Sequence, residues 1–224
     1  RASDGALARR AVWWERGLSD GRTSIITEPR NGKIPYTDRA RALSRSRPAP
    51  HSDGPEGRNL WERCLTSGIP RLGGVYSQNI HLAQTPNYVV FLHEMIHEYR
   101  IIPLDENHEL PQGLKQWLGN SRGHWDGDTL VIETTGFDAR QLFRGLSLSS
   151  LHLVERLTRV DADTLRYDVS FIDPALWSQP WTASLMMPPS EGPMFEYACH
   201  EGNVGMTNIL EFARLDETTN GREP

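Results

Sequence analysis

The fold of this chain is decided by a stretch in its second half, Gly123-His124-Trp125-Asp126-Gly127-Asp128-Thr129-Leu130-Val131-Ile132-Glu133-Thr134. An Asp-Gly pair lies there between residues that favour β-strands. Asp-Gly is typical of a type I′ turn, because both central residues of that turn need a positive φ. The stretch therefore predicts a β-hairpin, in which Trp125 shares one face with Leu130 and Ile132.

A second hairpin is predicted from residues 151–160 and 165–172, which a polar break at residues 161–163 separates. The remaining strand candidates are residues 75–84, 88–103 (bulged or doubled), 181–187 and 194–200. A polar connection, residues 104–122, contains Gln116-Trp117-Leu118 as an expected anchor, and a short helix is expected around residues 207–214. The pattern predicts an all-β, mainly antiparallel domain over residues 75–224. Its expected form is an up-and-down barrel of about eight strands, whose interior can hold one small ligand.

The first 74 residues have a different character. Residues 3–18 consist of good helix formers that end near Gly17, which predicts a short helix. Residues 19–74 are rich in Arg, Pro, Ser and Gly and bury little by themselves. We therefore expect residues 1–74 to form a helix and an extended arm, packed on the barrel or on a neighbouring subunit. The second alternative would make the protein a homo-oligomer.

Composition limits the partners. The 224 residues fit one large β domain or one domain with an appendage, and acidic residues exceed basic ones by 29 to 24. No basic stripe is interleaved with aromatic residues, so nucleic acid is not an expected partner. No apolar run approaches the ~20 residues that span a bilayer. The first residue is Arg rather than Met, which is compatible with a cleaved signal peptide.

The two cysteines, Cys64 and Cys199, are far apart in the sequence. Either they form a disulfide between the arm and the last strand, or they are two buried thiols. Closing so long a loop would stabilise the fold by roughly 3–5 kcal/mol in the chain-entropy model. Neither cysteine belongs to a CxxC metal or redox motif.

Four motifs carry a resemblance: residues 125–137 (WDGDTLVIETTGF), residues 154–165 (VERLTRVDADTL), Asp173-Pro174 with Pro180-Trp181, and residues 196–201 (EYACHE). From about residue 23 to 210 the chain resembles a large family of uncharacterised, mostly exported bacterial proteins with a lipocalin-like (calycin) β-barrel. The resemblance implies this barrel and a periplasmic or secreted location, but no settled activity. Members often carry Tyr or another residue where this chain has His93, so no family-wide role is implied for the motif that contains His93.

That motif, His93-Glu94-Met95-Ile96-His97, matches the HExxH pattern of zinc hydrolases. On a helix both imidazoles would reach one zinc ion and Glu94 would act as general base. The neighbouring residues 88–92 are β-branched or aromatic, however, and favour a strand. In a strand the residues i and i+4 lie about 13 Å apart, too far for one metal ion. We therefore treat zinc bound by His93 and His97 as an alternative only.

Strand alternation turns one carboxyl group toward the predicted interior. Glu155 shares a face with Leu153 and Leu157. A carboxylate in an apolar interior is either paired or has a raised pKa, as a general acid or base needs. Arg100 and Arg159 are the candidate ion-pair partners.

The other candidate residues surround this carboxyl group. His97 or His200 would be its proton-transfer partner, and a bulge near Met95 would let Glu94 and His97 both face the interior. Arg100 would hold an anionic group. The aromatic side chains expected to contact a ligand, or else to fill the core, are those of Trp125, Tyr167 and Trp181.

Four hypotheses follow. The first is a cofactor-independent lyase, isomerase or hydratase that acts on a small apolar or aromatic molecule by acid–base chemistry at Glu155. The second is a binding protein of the same fold that holds a hydrophobic ligand without chemistry. An ion pair between Glu155 and an arginine would favour this second hypothesis. The third is the zinc hydrolase, and the fourth is a structural role in which side chains fill the barrel.

Overall fold

A computed structural model describes residues 21–46, 54–73, 76–105, 113–190 and 192–220. The helix predicted at residues 3–18 lies outside this part of the chain. The strands are β1 (Ile26–Glu28), β2 (Ile80–Gln84), β3 (Tyr88–His93), β4 (Tyr99–Pro103), β5 (Asn120–Asp126), β6 (Thr129–Thr135), β7 (Leu142–Phe143), β8 (Leu146–Ser147), β9 (His152–Arg159), β10 (Leu165–Ile172) and β11 (Trp181–Met187). The helices are α1 (Asp38–Arg45) and α2 (Val204–Asn220), with 3-10 turns at Pro55–Gly57 and Met95–His97.

The strands follow one another as an antiparallel meander. Six strands pair in the order β1-β11-β10-β9-β6-β5, three pair in the order β2-β3-β4, and β7 pairs with β8. Strand β4 packs beside β5, because a Cβ added at Gly123 of β5 would lie 3.0 Å from Cγ2 of Ile102 in β4. No hydrogen-bonded ladder joins β4 to β5 within the described residues. The mainly antiparallel β fold is confirmed, but no closed barrel is found there.

The hairpin predicted around the Asp-Gly pair is confirmed, with a different turn. Asp126 is paired with Thr129, so the central residues are Gly127 and Asp128. Of these two, only Gly127 has a positive φ, of 58°. One positive φ at the first central residue is the pattern of a type II′ turn rather than type I′.

Three other predictions have different outcomes. The candidate at residues 88–103 is doubled into β3 and β4, which is one of its two expected forms, whereas the C-terminal helix is longer than residues 207–214. The strand predicted at residues 194–200 is wrong. Its backbone binds a side chain instead of a neighbouring strand, since the Phe195 N–H donates to Oε1 of Glu94 over 2.9 Å.

Large side chains fill the interior on one face of the six-stranded sheet. Trp181 stacks on Phe171 with ring centroids 3.9 Å apart, and Trp177 meets both rings edge-on at 5.8 Å. The alternation predicted for β9 and β10 is confirmed, because every second residue from Leu151 to Leu157 and from Tyr167 to Phe171 is buried.

The described part of the arm lies against this core. Thr37 caps helix α1 by accepting the Ala40 N–H over 3.1 Å, and its own N–H donates to the Leu176 carbonyl over 2.9 Å. Ala40 is completely buried. The arm therefore adds both a helix and the edge strand β1 to the sheet structure.

The Cys64–Cys199 disulfide is confirmed, with Cα atoms 5.8 Å apart and a sequence separation of 135. It joins the arm to the segment that precedes α2. Among the described residues, no helix combines the length and the apolar character that crossing a membrane requires.

Removing this disulfide tests its contribution. We expect the double change Cys64→Ala/Cys199→Ala to lower the free energy of unfolding by about 3–5 kcal/mol, because the unfolded chain regains the entropy of a long open loop. Urea denaturation measures the change, and the reduced unmodified protein should show the same loss. An unchanged denaturation midpoint in both samples would contradict this account.

Candidate functional site

The predicted interior carboxyl group lies in a buried ion pair. Glu155 of β9 is 0% exposed and faces Arg100 of β4. Arg100 donates from Nη1 to Oε2 over 2.5 Å and from Nη2 to Oε1 over 2.9 Å. Tyr167, diagonally across the β9–β10 pairing, also donates its hydroxyl to Oε1. Both oxygens of Glu155 are therefore engaged by protein donors.

The surroundings determine the protonation states of Tyr167 and Arg100. Burial, and then the negative charge of Glu155, raise the pKa of Tyr167 well above its usual value, so the phenol keeps its proton and acts as donor. Burial alone would lower the pKa of Arg100, but the charge of Glu155 raises it. Arg100 also lies 5.0 Å from the centre of the Phe91 ring. Of the two candidate partners, Arg100 therefore forms the ion pair, whereas Arg159 donates to the Ala162 carbonyl over 2.8 Å.

His93 lies at the end of β3, close to this ion pair. It is buried, and its Nε2 has no hydrogen-bond partner in the part of the chain that the structure describes. Burial, followed by the positive charges of Arg100 and Arg71, lowers its pKa to about 3. The imidazole is therefore neutral at physiological pH.

The HExxH motif is not helical. It begins in β3 and continues into the 3-10 turn Met95–His97, where Ile96 and His97 have φ values of 59° and 44°. His93 is buried whereas His97 is exposed, so the two imidazoles do not share the helical face that the zinc alternative requires. Nor do the described residues contain a group of three or more His, Cys, Asp or Glu side chains arranged to hold a metal ion.

The motif instead ties the β3–β4 turn to the flanking segments. Glu94 accepts hydrogen bonds from Asn79 Nδ2 and from the Phe195 N–H, both over 2.9 Å. His97 donates from Nδ1 to the Tyr197 carbonyl over 3.1 Å. The bulge that would have turned Glu94 and His97 together into the interior is therefore absent from this turn.

The remaining predicted residues are spread over the molecule. His200 is exposed beside the disulfide, and neither it nor His97 hydrogen-bonds to Glu155 in the described structure. Trp125 is 47% exposed near the end of the β5–β6 hairpin, because β5 leaves the core after Gly123. Trp181 is core. Of the predicted site, the fold thus brings together Glu155, Arg100 and Tyr167.

A cleft of about 620 Å³, here called the β4–β5 cleft, opens where these two strands are not paired. Tyr99 and Ile101 line it on the β4 side, and Lys115, Trp117 and Arg140 line the other side. Arg100 and Ser121 lie at its inner end, and Arg100 Nη1 donates to Ser121 Oγ over 3.4 Å. Its volume falls in the range of about 300–1,000 Å³ that is typical of small-molecule sites.

A tight turn presents the second wall of the cleft. The Gln116 N–H donates to the Gly136 carbonyl over 3.1 Å, and the Asp138 N–H donates to the Gln116 carbonyl over 2.9 Å. The chain then turns at Gly119, whose φ is 66° and where an added Cβ would lie 2.7 Å from the Thr135 carbonyl oxygen. This close approach needs glycine. It holds residues 115–118 beside β6.

The cationic wall has a defined geometry. The guanidinium carbon of Arg140 lies 4.4 Å from the centre of the Trp117 ring. Arg140 also donates from Nε and Nη2 to the two oxygens of Asp138, each over 2.9 Å. These hydrogen bonds lower the pKa of Asp138 to about 2, so this pair stays charged. Of these wall residues the sequence pointed only to Trp117, within the expected anchor Gln116-Trp117-Leu118.

Comparison with known proteins adds no relative, since no family model, no curated protein and no solved structure matches this chain.

Proposed function

We propose that this protein binds a small molecule in the β4–β5 cleft, and that the Glu155–Arg100 pair supports the fold instead of performing acid–base chemistry. One observation carries this proposal: both oxygens of Glu155 are held by Arg100 and Tyr167, next to an open cleft of about 620 Å³. A general base needs an oxygen that can approach a substrate proton. The ion pair therefore favours the binding hypothesis over the lyase or isomerase hypothesis.

The proposal also includes the finer features of the fold and the cellular location. A lipocalin-like barrel would be completed by closing the meander between its end strands, β1 and β2. Export to the periplasm or the cell exterior is supported by the disulfide, because such bonds persist mainly in oxidising compartments. Membership of the exported calycin-like family rests on the four sequence motifs alone.

Dye binding tests the proposed site. Anilinonaphthalenesulfonate and N-phenylnaphthylamine become fluorescent in apolar sites, and at least one of them should bind the unmodified protein. We expect Trp117→Ala to weaken this binding by about tenfold, since the variant loses an aromatic contact worth about 1.4 kcal/mol.

Trp125→Ala is the matched control, because Trp125 is a partly exposed tryptophan outside the cleft. It should leave dye affinity unchanged, and both variants should keep the circular dichroism spectrum of the unmodified protein. Equal dye affinity for Trp117→Ala and the unmodified protein would place binding elsewhere and refute the proposal, as would no binding of either dye.

A further inference from the structure

The β4–β5 cleft is lined by positive charge, although the protein as a whole is acidic. The whole chain has a net charge of −5. Among the described residues, the charged side chains that line the cleft are three cations, Arg100, Lys115 and Arg140, and one carboxylate, Asp138. Even when Glu155 is counted against Arg100, these described side chains carry an excess positive charge. A locally positive cleft in an acidic protein attracts anions.

The hydrogen bonds show which cations remain available to a ligand. Arg100 is committed to Glu155 through both terminal nitrogens. Asp138 occupies Nε and Nη2 of Arg140, and Nη1 has no acceptor within the described ranges, so it can donate to a ligand. Lys115 is exposed and forms no ion pair with any described residue. Of the cationic groups that the structure describes in the cleft, Lys115 and Arg140 are therefore the two that can pair with an anionic ligand.

The apolar walls show what the rest of the ligand must be like. Tyr99 and Ile101 are 66% and 54% exposed, although outward positions of an antiparallel sheet are usually polar. Trp117 lies on the opposite side, and its ring carries the Arg140 guanidinium. A flat apolar body would cover both walls and would place an anionic substituent near Arg140 and Lys115.

We infer that the ligand of the β4–β5 cleft is a small aromatic or otherwise flat apolar anion, such as an aryl carboxylate or sulfonate, bound by Lys115 and Arg140. This inference rests on the proposed function, because it specifies the ligand class of the same cleft.

Two dyes of nearly equal shape separate charge recognition from apolar binding. Anilinonaphthalenesulfonate carries a sulfonate that N-phenylnaphthylamine lacks. We expect the unmodified protein to bind the sulfonate at least tenfold more tightly. Lys115→Gln and Arg140→Gln should each weaken sulfonate binding about fivefold while changing the affinity for the neutral dye less than twofold.

Arg166→Gln is the matched control. Arg166 is exposed and pairs with Asp168, two residues away, just as Arg140 pairs with Asp138. Unlike Arg140, it lies outside the cleft. It should leave both affinities unchanged. Equal affinity for the two dyes, with a loss in Trp117→Ala, would overturn the inference while the proposed function stands. The inference would also be overturned if Arg166→Gln and Arg140→Gln reduced the preference for the sulfonate dye equally, because that preference would then come from general surface charge. No binding of either dye would overturn both.

Discussion

Replacing Glu155 by leucine is expected to lower the free energy of unfolding by about 3–5 kcal/mol, because it leaves the buried Arg100 guanidinium without a counter-charge. Arg100→Leu should lower the free energy of unfolding by a similar amount, because it leaves the Glu155 carboxyl group buried without its arginine partner. The double change Arg100→Leu/Glu155→Leu should be less damaging than either single change, since no unpaired charge remains in the interior. Urea denaturation of the three variants measures these differences.

A second ion pair on the same strand provides the control. Arg156 follows Glu155 directly, faces solvent, and donates to Asp126 over 2.7 Å. Arg156→Gln should leave the denaturation midpoint nearly unchanged, because solvent screens exposed pairs. If the Glu155 and Arg100 variants were as stable as Arg156→Gln, the buried pair would not hold the fold and its structural assignment would be wrong.

The stability of the protein is expected to fall as the pH is lowered from about 6.5 toward 3, in part because of His93. The pKa of this buried histidine is lowered from 6.5 to about 3 by burial and by the charges of Arg100 and Arg71. Between these two pH values the unfolded chain binds a proton at His93 that the folded chain does not. His93 therefore favours the folded state fully above pH 6.5, and this advantage is lost progressively below it.

Replacing His93 by phenylalanine isolates this effect. The ring contact with Phe91, at 6.3 Å between centroids, is kept while the titrating group is removed. From pH 6 to pH 4 the unmodified protein should lose stability relative to His93→Phe by about 1.4 kcal/mol per pH unit, the slope for one proton. Denaturation at several pH values measures the slope.

His81→Phe is the control, because His81 is exposed on the neighbouring strand β2. Its curve should run parallel to that of the unmodified protein. A curve for His93→Phe that also stays parallel to the unmodified protein would mean that His93 is protonated in the folded state.

The elements best predicted from sequence are those whose pattern is local. The Asp126-Gly127 turn signal and the two-residue alternation of residues 151–157 and 167–171 predicted hairpins and a buried Glu155, because strand pairing follows directly from such patterns. The ion-pair partner of Glu155, Arg100, is one of the two arginines that the sequence offers as candidates. The strand propensity of residues 88–92 also predicts a strand, in conflict with the helix that an HExxH zinc site needs. The backbone forms that strand, β3.

The parts that were missed depend on contacts between distant segments. Residues 194–200 have strand-like composition, but Phe195 hydrogen-bonds to Glu94, more than a hundred positions earlier. The cleft depends on the gap between β4 and β5 and on the Gly119 turn. Neither feature leaves a periodic signal, so Lys115 and Arg140 could not be identified from the chain alone. Trp125 and Trp181 do not lie together for the same reason, since Trp125 is exposed near the end of its hairpin and Trp181 fills the core, which was the alternative expected for it.

The location of bound ligand is the most direct test of this account. In a titration of the isotope-labelled protein with anilinonaphthalenesulfonate, followed by amide NMR shifts, we expect the largest changes at residues 99–101, 115–121 and 138–140 around the cleft. Residues 153–157 and 167–171, which carry the interior ion pair, should shift little. The largest changes at Glu155 and Tyr167, with little change at Lys115 and Trp117, would show that the interior is the binding site and would contradict the account.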